Sequence, residues 1–82
     1  MNFELYKNKC FHISEGNMNI EVNVTGNHLV YGPKTLTFES KKLASKFLNE
    51  LFNSIKNAYE AEKMNKKDAR EFVNEVLNRV FH

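Results

Sequence analysis

The chain has 82 residues, with 12 basic against 10 acidic side chains and a net charge of +2 at neutral pH. This length suits one small domain, and so small a charge excess argues against nucleic acid, an anionic membrane or mimicry of DNA. One cysteine excludes an internal disulfide and favours a reducing compartment. We expect a cytoplasmic protein, because the sequence shows neither a signal peptide nor an apolar run of the ~20 residues that span a membrane.

The N-terminal part of the chain alternates between apolar and polar residues, as β-strands do. The alternation runs from Phe3 to Ser14, but Lys7 and Lys9 fall on the apolar parity. This segment is therefore either one bent strand or two strands joined by a turn at Lys7-Asn8-Lys9. The next segment, Met18 to Thr25, alternates without interruption and predicts a strand with one buried and one polar face.

Two Gly-Asn dipeptides, Gly16-Asn17 and Gly26-Asn27, separate the strands. Glycine in the first central position favours a two-residue type II′ hairpin turn. Both turns then bring apolar residues together on one face, and a shift of one residue would destroy that agreement. The predicted pairs are Ile13–Ile20, Phe11–Val22, Val24–Leu29 and Val22–Tyr31. The first of these hairpins also places His12 opposite Glu21.

Gly32-Pro33 interrupts the following strand. Because proline has no N–H to donate to a strand ladder, we expect a bulge or a break at a sheet edge there. The segment from Thr35 to Glu39 then resumes as a strand or an extended connection.

The second half of the chain predicts two amphipathic helices. Apolar residues recur from Leu43 to Tyr59 at helical spacing, with Ser40 as the N-cap. A second stripe runs from Ala69 to Val80, with Asn65 as its N-cap. The short connection favours antiparallel neighbours. We therefore predict one α+β domain over residues 1–82: a three- to four-stranded antiparallel meander (1–39) with helices 40–64 and 65–82 packed on one face.

Cys10 and His12 share one face of a predicted strand, and His28 lies on a nearby strand. A zinc site needs four suitable ligands, and a Cys–His nucleophile pair needs an oxyanion site as well. Neither additional part is visible in the sequence. The preferred interpretation is a surface histidine paired with Glu21 and an ordinary thiol, so we expect no metal, no cofactor and no enzymatic activity.

A basic cluster marks the connection between the two helices: Lys63, Lys66, Lys67 and Arg70. Acidic residues are interleaved with it: Glu60, Glu62, Asp68 and Glu71. Affinity for phosphates needs a patch of uncompensated positive charge. We interpret the cluster as a solvated turn, with nucleic-acid binding as the alternative.

Interaction surfaces are the remaining candidates for a site. In so small a domain, one sheet and one neighbouring helix are not expected to cover the whole apolar stripe of each helix, and an uncovered strip is typical of a partner or homodimer interface. The helical candidates are Phe52, Tyr59, Val80 and Phe81. The open face of the sheet, with His12 and Val30, is the second candidate, and the strand edges are a third. Ordinary core and surface remain the alternative for all of these residues.

The chain as a whole resembles small early proteins of T-even-type phages. The features that carry the resemblance are its size, its richness in Asn and Lys, its lack of a catalytic motif, and the run from MNFELYKNKC to LNRVFH. It is most similar in this respect to the accessory cytoplasmic antiholins of lysis inhibition. This resemblance implies a regulator that binds the cytosolic N-terminal segment of a phage holin and delays host lysis. The alternatives are an anti-CRISPR-like inhibitor of a host defence protein and a small nucleic-acid-binding regulator.

Overall fold

The first half of the chain folds into one antiparallel sheet with its strands in sequence order, and the second half forms two helices. The computed structural model describes residues 1–82. The predicted α+β class is confirmed, with five strands where three to four were expected. The strands are β1 (Asn2–Tyr6), β2 (Cys10–Glu15), β3 (Met18–Thr25), β4 (His28–Tyr31) and β5 (Lys34–Thr37).

The first additional strand arises because Lys7-Asn8-Lys9 is a turn. Asn8 has a φ of 68°, in the left-handed region that asparagine tolerates better than most residues. The Lys9 N–H donates to the Tyr6 carbonyl at 3.0 Å and closes the turn. The two alternatives for residues 3–14 are thereby decided in favour of two strands.

The two Gly-Asn turns form as predicted. Gly16 and Gly26 have φ values of 58° and 61°, whereas neither following asparagine has a positive φ, which is the type II′ pattern. The predicted pairs Ile13–Ile20, Phe11–Val22 and Val24–Leu29 are all present. Tyr31, which the same register places opposite Val22, lies one position beyond the last pair, Asn23–Val30.

Gly32-Pro33 is a third two-residue hairpin turn, in place of the expected bulge or edge break. Gly32 has a φ of 58°, and Tyr31 pairs with Lys34 across the turn. Pro33 occupies a turn position that donates no ladder hydrogen bond, so its missing N–H costs nothing there. This turn creates β5 as the fifth strand.

The helices begin at their predicted caps. α1 spans Lys41–Glu62, and the Ser40 Oγ accepts a hydrogen bond from the Leu43 N–H at 3.2 Å. α2 spans Lys66–Val80, and the Asn65 Oδ1 accepts from the Asp68 N–H at 2.8 Å. Each side chain satisfies a backbone donor that the first helical turn leaves free. Neither helix combines the length and the apolar character needed to cross a membrane.

Both helices contribute to one core on a single face of the sheet. α1 packs against β1 to β4, and α2 adds Val73, Leu77 and the residue after its end, Phe81. The buried cluster has 12 members: Phe11, Ile13, Ile20, Val22, Leu29, Leu48, Leu51, Phe52, Ile55, Val73, Leu77 and Phe81.

The expectation that Phe52 and Phe81 are exposed is wrong. Phe52 is 4% exposed, because its ring lies 6.0 Å from that of Phe3 and 5.4 Å from that of Phe11. Phe81 is 3% exposed, and its ring lies 5.4 Å from that of Tyr31. The margins of the two helical stripes are thus covered by aromatic side chains from the sheet.

Candidate interaction surfaces

The remaining helical candidates lie at the rim of the core. The Tyr59 ring packs 5.4 Å from the Phe3 ring and is half-buried. Val80 is also half-buried and packs against the core cluster. Together with the burial of Phe52 and Phe81, this leaves the helical stripes without the continuous exposed strip that a partner would need.

The basic cluster lies on the exposed connection between the helices. Its four members, Lys63, Lys66, Lys67 and Arg70, are all exposed, and so are the four acidic residues interleaved with them. None of the four basic side chains forms an ion pair. Positive and negative charges alternate over the same turn, so the geometry agrees with a solvated and balanced surface.

One face of the sheet is covered by neither helix. We call it the open sheet face. Strand pairing places one row of its side chains across all five strands: Tyr6, Cys10, Asn23, Val30 and Thr35. None of these five side chains is buried.

An aromatic and polar cluster occupies the β1–β3 side of the open sheet face. The predicted pair of His12 and Glu21 forms, with 2.9 Å between Nε2 and Oε1. The Tyr6 ring stands edge-on to the His12 ring at 5.9 Å, and its hydroxyl donates to Glu4 Oε2 at 3.2 Å. Tyr6 is 52% exposed, so it presents an aromatic surface to solvent among hydrogen-bonding groups.

Two groups on this face have altered acidity. The hydrogen bond to Glu4, together with the negative charge of that carboxylate, raises the pKa of the Tyr6 hydroxyl. Burial raises the pKa of the Cys10 thiol, Glu21 adds to the rise, and Lys9 opposes it. Because the thiolate is the nucleophilic form of cysteine, a raised pKa gives no sign of an activated thiol at Cys10.

Cys10, His12 and His28 do not converge on one point. His28 lies opposite Thr25 and Thr37, and its Nδ1 hydrogen-bonds Thr37 Oγ1 at 3.0 Å. His12 is engaged by Glu21 instead. The structure contains no group of three or more His, Cys, Asp or Glu side chains placed to hold a metal ion.

A cleft of about 620 Å³ lies between the β1–β2 turn and the first turns of α1. We call it the lysine cleft, and it is lined by Asn8, Lys41, Lys42, Ser45, Lys46 and Asn49. Two hydrogen bonds hold the turn against the helix. The Ser45 Oγ donates to the Asn8 carbonyl at 3.3 Å, and the Asn49 Nδ2 donates to Asn8 Oδ1 at 3.1 Å.

The lysine cleft and its surroundings carry an excess of positive charge. Lys7 and Lys9 flank Asn8, so residues 7–9 and 37–50 bring five lysines and two glutamates, Glu39 and Glu50, to this end of the molecule. These segments carry a charge of +3, and the remaining residues therefore carry −1. All five lysines are exposed, and none forms an ion pair.

Sequence reasoning missed the lysine cleft. The motifs Lys-Asn-Lys and Lys-Lys-x-x-x-Lys lie more than thirty residues apart, and each is ordinary by itself. The signal was the combination of a turn at residues 7–9, one of two alternatives for that segment, with the predicted helix start at Ser40. This signal is usable only if one also knows that the turn and the start of the helix lie at the same end of the sheet.

An apolar patch adjoins the lysine cleft. Phe38 and Phe47 pack with their ring centroids 5.3 Å apart. Together with Leu43, Lys46 and Glu50 they line a second cleft of about 240 Å³. Leu43 is 44% exposed, and Lys46 lines both clefts. Positive charge and exposed apolar surface therefore meet at Lys46.

The chain matches no protein-family model, no curated protein and no solved structure. The resemblance to accessory antiholins therefore stays a prediction. Two surfaces of the molecule are the candidates for binding a partner, the open sheet face and the lysine cleft with its apolar patch.

Proposed function

We propose that this protein acts without catalysis, by binding another protein through the open sheet face. The observation that supports the proposal is a five-strand surface free of helical cover, on which Tyr6 is 52% exposed beside His12 and Glu4. Aromatic side chains that combine a large apolar area with a polar group are enriched at the energetic centres of protein interfaces. The surrounding polar side chains supply hydrogen bonds of the kind found at interface rims.

The first partner to test follows from the resemblance to accessory antiholins. It is the cytosolic N-terminal segment of a T-even phage holin, and the cellular result would be a delay of host lysis. The mechanism is linkage: a protein that binds the unassembled holin more tightly than the assembled one shifts the equilibrium away from the pore. The proposal requires this difference in affinity and no chemical step.

The test is a titration of the isotope-labelled protein with a soluble peptide of that holin segment, followed by backbone NMR shifts. We expect saturable shifts confined to the open sheet face, around Tyr6, His12 and Val30. Tyr6→Ala should weaken binding about tenfold, because an aromatic anchor at an interface contributes more than ~1 kcal/mol. Lys67→Ala, on the exposed helix connection, is the matched control and should bind normally.

Two results would contradict the proposal. One is an absence of shifts at high micromolar peptide, which would exclude this segment as the partner. The other is a set of saturable shifts on the helical side with normal binding by the Tyr6 variant, which would exclude the open sheet face as the site.

A further inference from the structure

We infer that the lysine cleft and its apolar patch form a second docking site, which takes an acidic segment of a protein partner carrying an apolar anchor residue. This inference rests on the proposed function, since it assumes that the partner is a protein. It adds a separate site and specifies the chemistry that the partner must bring: carboxylates for the lysines and one apolar side chain for Leu43.

The net charge of the cleft favours an anionic ligand. Lys41, Lys42 and Lys46 line one cavity, and Lys7 and Lys9 flank Asn8 in the turn that forms its other wall. Glu39 and Glu50 are the acidic residues at this end, and Glu50 lines the apolar patch beside Lys46. Screening at physiological salt limits each surface charge to a range of about 8 Å, so a ligand with several carboxylates gains more than one with a single charge.

Two hydrogen bonds hold the walls of the cleft together in the absence of a ligand. Ser45 and Asn49 of α1 both hydrogen-bond Asn8, and Ser45 is buried. Asn8 keeps its left-handed conformation within this arrangement. A preformed site loses little conformational entropy when it binds, and so retains more of the interaction energy as affinity.

The apolar patch favours a peptide over nucleic acid. Leu43 is one of the two most exposed large apolar side chains of the molecule, and it lies beside Lys46. The rings of Phe38 and Phe47 pack against each other. Nucleic acid offers the lysines its phosphates, and its bases stack on aromatic rings, but here the rings of Phe38 and Phe47 are occupied by each other and the exposed apolar side chain is the aliphatic Leu43. An acidic peptide with leucine or phenylalanine satisfies both parts of the surface.

The binding test uses a short dye-labelled peptide of alternating acidic and leucine residues, measured by fluorescence anisotropy. We expect saturable binding that falls about tenfold in Lys42→Gln/Lys46→Gln, which removes two charges from the cleft. Lys63→Gln/Lys67→Gln removes the same charge from the exposed helix connection and should change affinity less than about twofold. Leu43→Ala should weaken binding about fivefold, and a peptide with serine in place of leucine should lose this dependence.

Two outcomes would overturn the inference. Equal losses in the two lysine pairs would show that net charge alone attracts the peptide. Tighter binding of a single-stranded DNA oligonucleotide than of the peptide, unaffected by Leu43→Ala, would show a nucleic-acid site instead. All the altered side chains are exposed, and backbone NMR spectra of each variant verify that it folds.

The same variants separate a failure here from a failure of the proposed function. If the holin segment loses affinity with Tyr6→Ala but not with Lys42→Gln/Lys46→Gln, the open sheet face is the site and the cleft plays no part. If the acidic peptide binds the cleft while the holin segment binds nowhere, the docking chemistry stands and the proposed partner is wrong.

Discussion

At the residue scale, the aromatic side chains divide between the core and the open sheet face. Phe52 and Phe81 are enclosed by rings from β1, β2 and β4. Tyr6 points to the other side of the sheet, where its hydroxyl contacts Glu4. Large aromatic groups on the buried side contribute stability, whereas the exposed Tyr6 is free to contact a partner.

Phe81→Ala tests whether Phe81 stabilises the core. The substitution should lower the free energy of unfolding by about 3–5 kcal/mol, because it leaves a cavity beside Tyr31 in a core that has few other residues to fill it. Urea denaturation of the purified variant measures the loss. Leu43→Ala, at an exposed helical position, is the control and should change stability by less than about 0.5 kcal/mol. Equal stabilities of the two variants would contradict the burial of Phe81.

At the element scale, glycines in the left-handed region set the register of three of the four hairpins. Gly16, Gly26 and Gly32 each occupy the first position of a two-residue turn, with φ between 58° and 61°. An L-residue with a Cβ is strained there by roughly 1–2 kcal/mol. The conformation therefore adds little free energy for glycine and strains the backbone of most other residues.

Gly26→Ala isolates this strain from any steric effect. A Cβ at Gly26 would meet no atom within 4 Å, so the substitution should cost only the backbone penalty of about 1–2 kcal/mol. Gly26→Asn should cost about as much, because a type II′ turn combines the positive φ of its first central residue with a ψ of about −120°, outside the left-handed helical region that asparagine tolerates. Thermal unfolding of both variants measures the two losses. If asparagine is tolerated much better than alanine, the turn is not of type II′.

Local patterns were sufficient for the two Gly-Asn hairpins and the helix caps. A Gly-Asn turn fixes which residues pair, and the pairing of His12 with Glu21 then follows. Gly32-Pro33 was misread because proline was weighed as a strand residue and not as the second residue of a turn. Single-residue rules thus perform well where the determinant lies within a few positions of the chain.

The burial of Phe52 and Phe81 and the lysine cleft depend on contacts between distant segments. Phe52 is covered by Phe3, nearly fifty positions away, and Asn8 hydrogen-bonds Ser45 and Asn49. A helical stripe shows which residues face inward, but not how far the opposing sheet extends over its margins. These features follow from how α1 lies on the sheet, which periodicity does not specify.

At the scale of the whole molecule, one core unites the sheet with both helices. Val73, Leu77 and Phe81 belong to the same cluster as Phe11 and Leu48. A domain of this length buries a smaller share of its surface than a larger domain does, so it has little stability to lose. Sheet and helices should therefore unfold together as one cooperative unit.

Truncation after Lys63 tests whether the sheet and both helices fold as one cooperative unit. Removing α2 exposes the apolar surface that Val73, Leu77 and Phe81 cover, and the shortened chain should fail to fold. Loss of dispersion in the NMR spectrum and of cooperative thermal unfolding would be the observed result. A truncated chain that keeps a dispersed spectrum and a sharp transition would show that the sheet and α1 form an independent unit.

The sequential strand order also determines when each part of the structure can form during synthesis. Neighbouring strands are neighbours in the chain, so every hairpin can close as soon as its second strand leaves the ribosome. The two helices are made last, and until then the apolar face of the sheet has no cover. The nascent chain therefore passes through an interval in which Phe11, Val22 and Leu29 are open to chaperones and to aggregation.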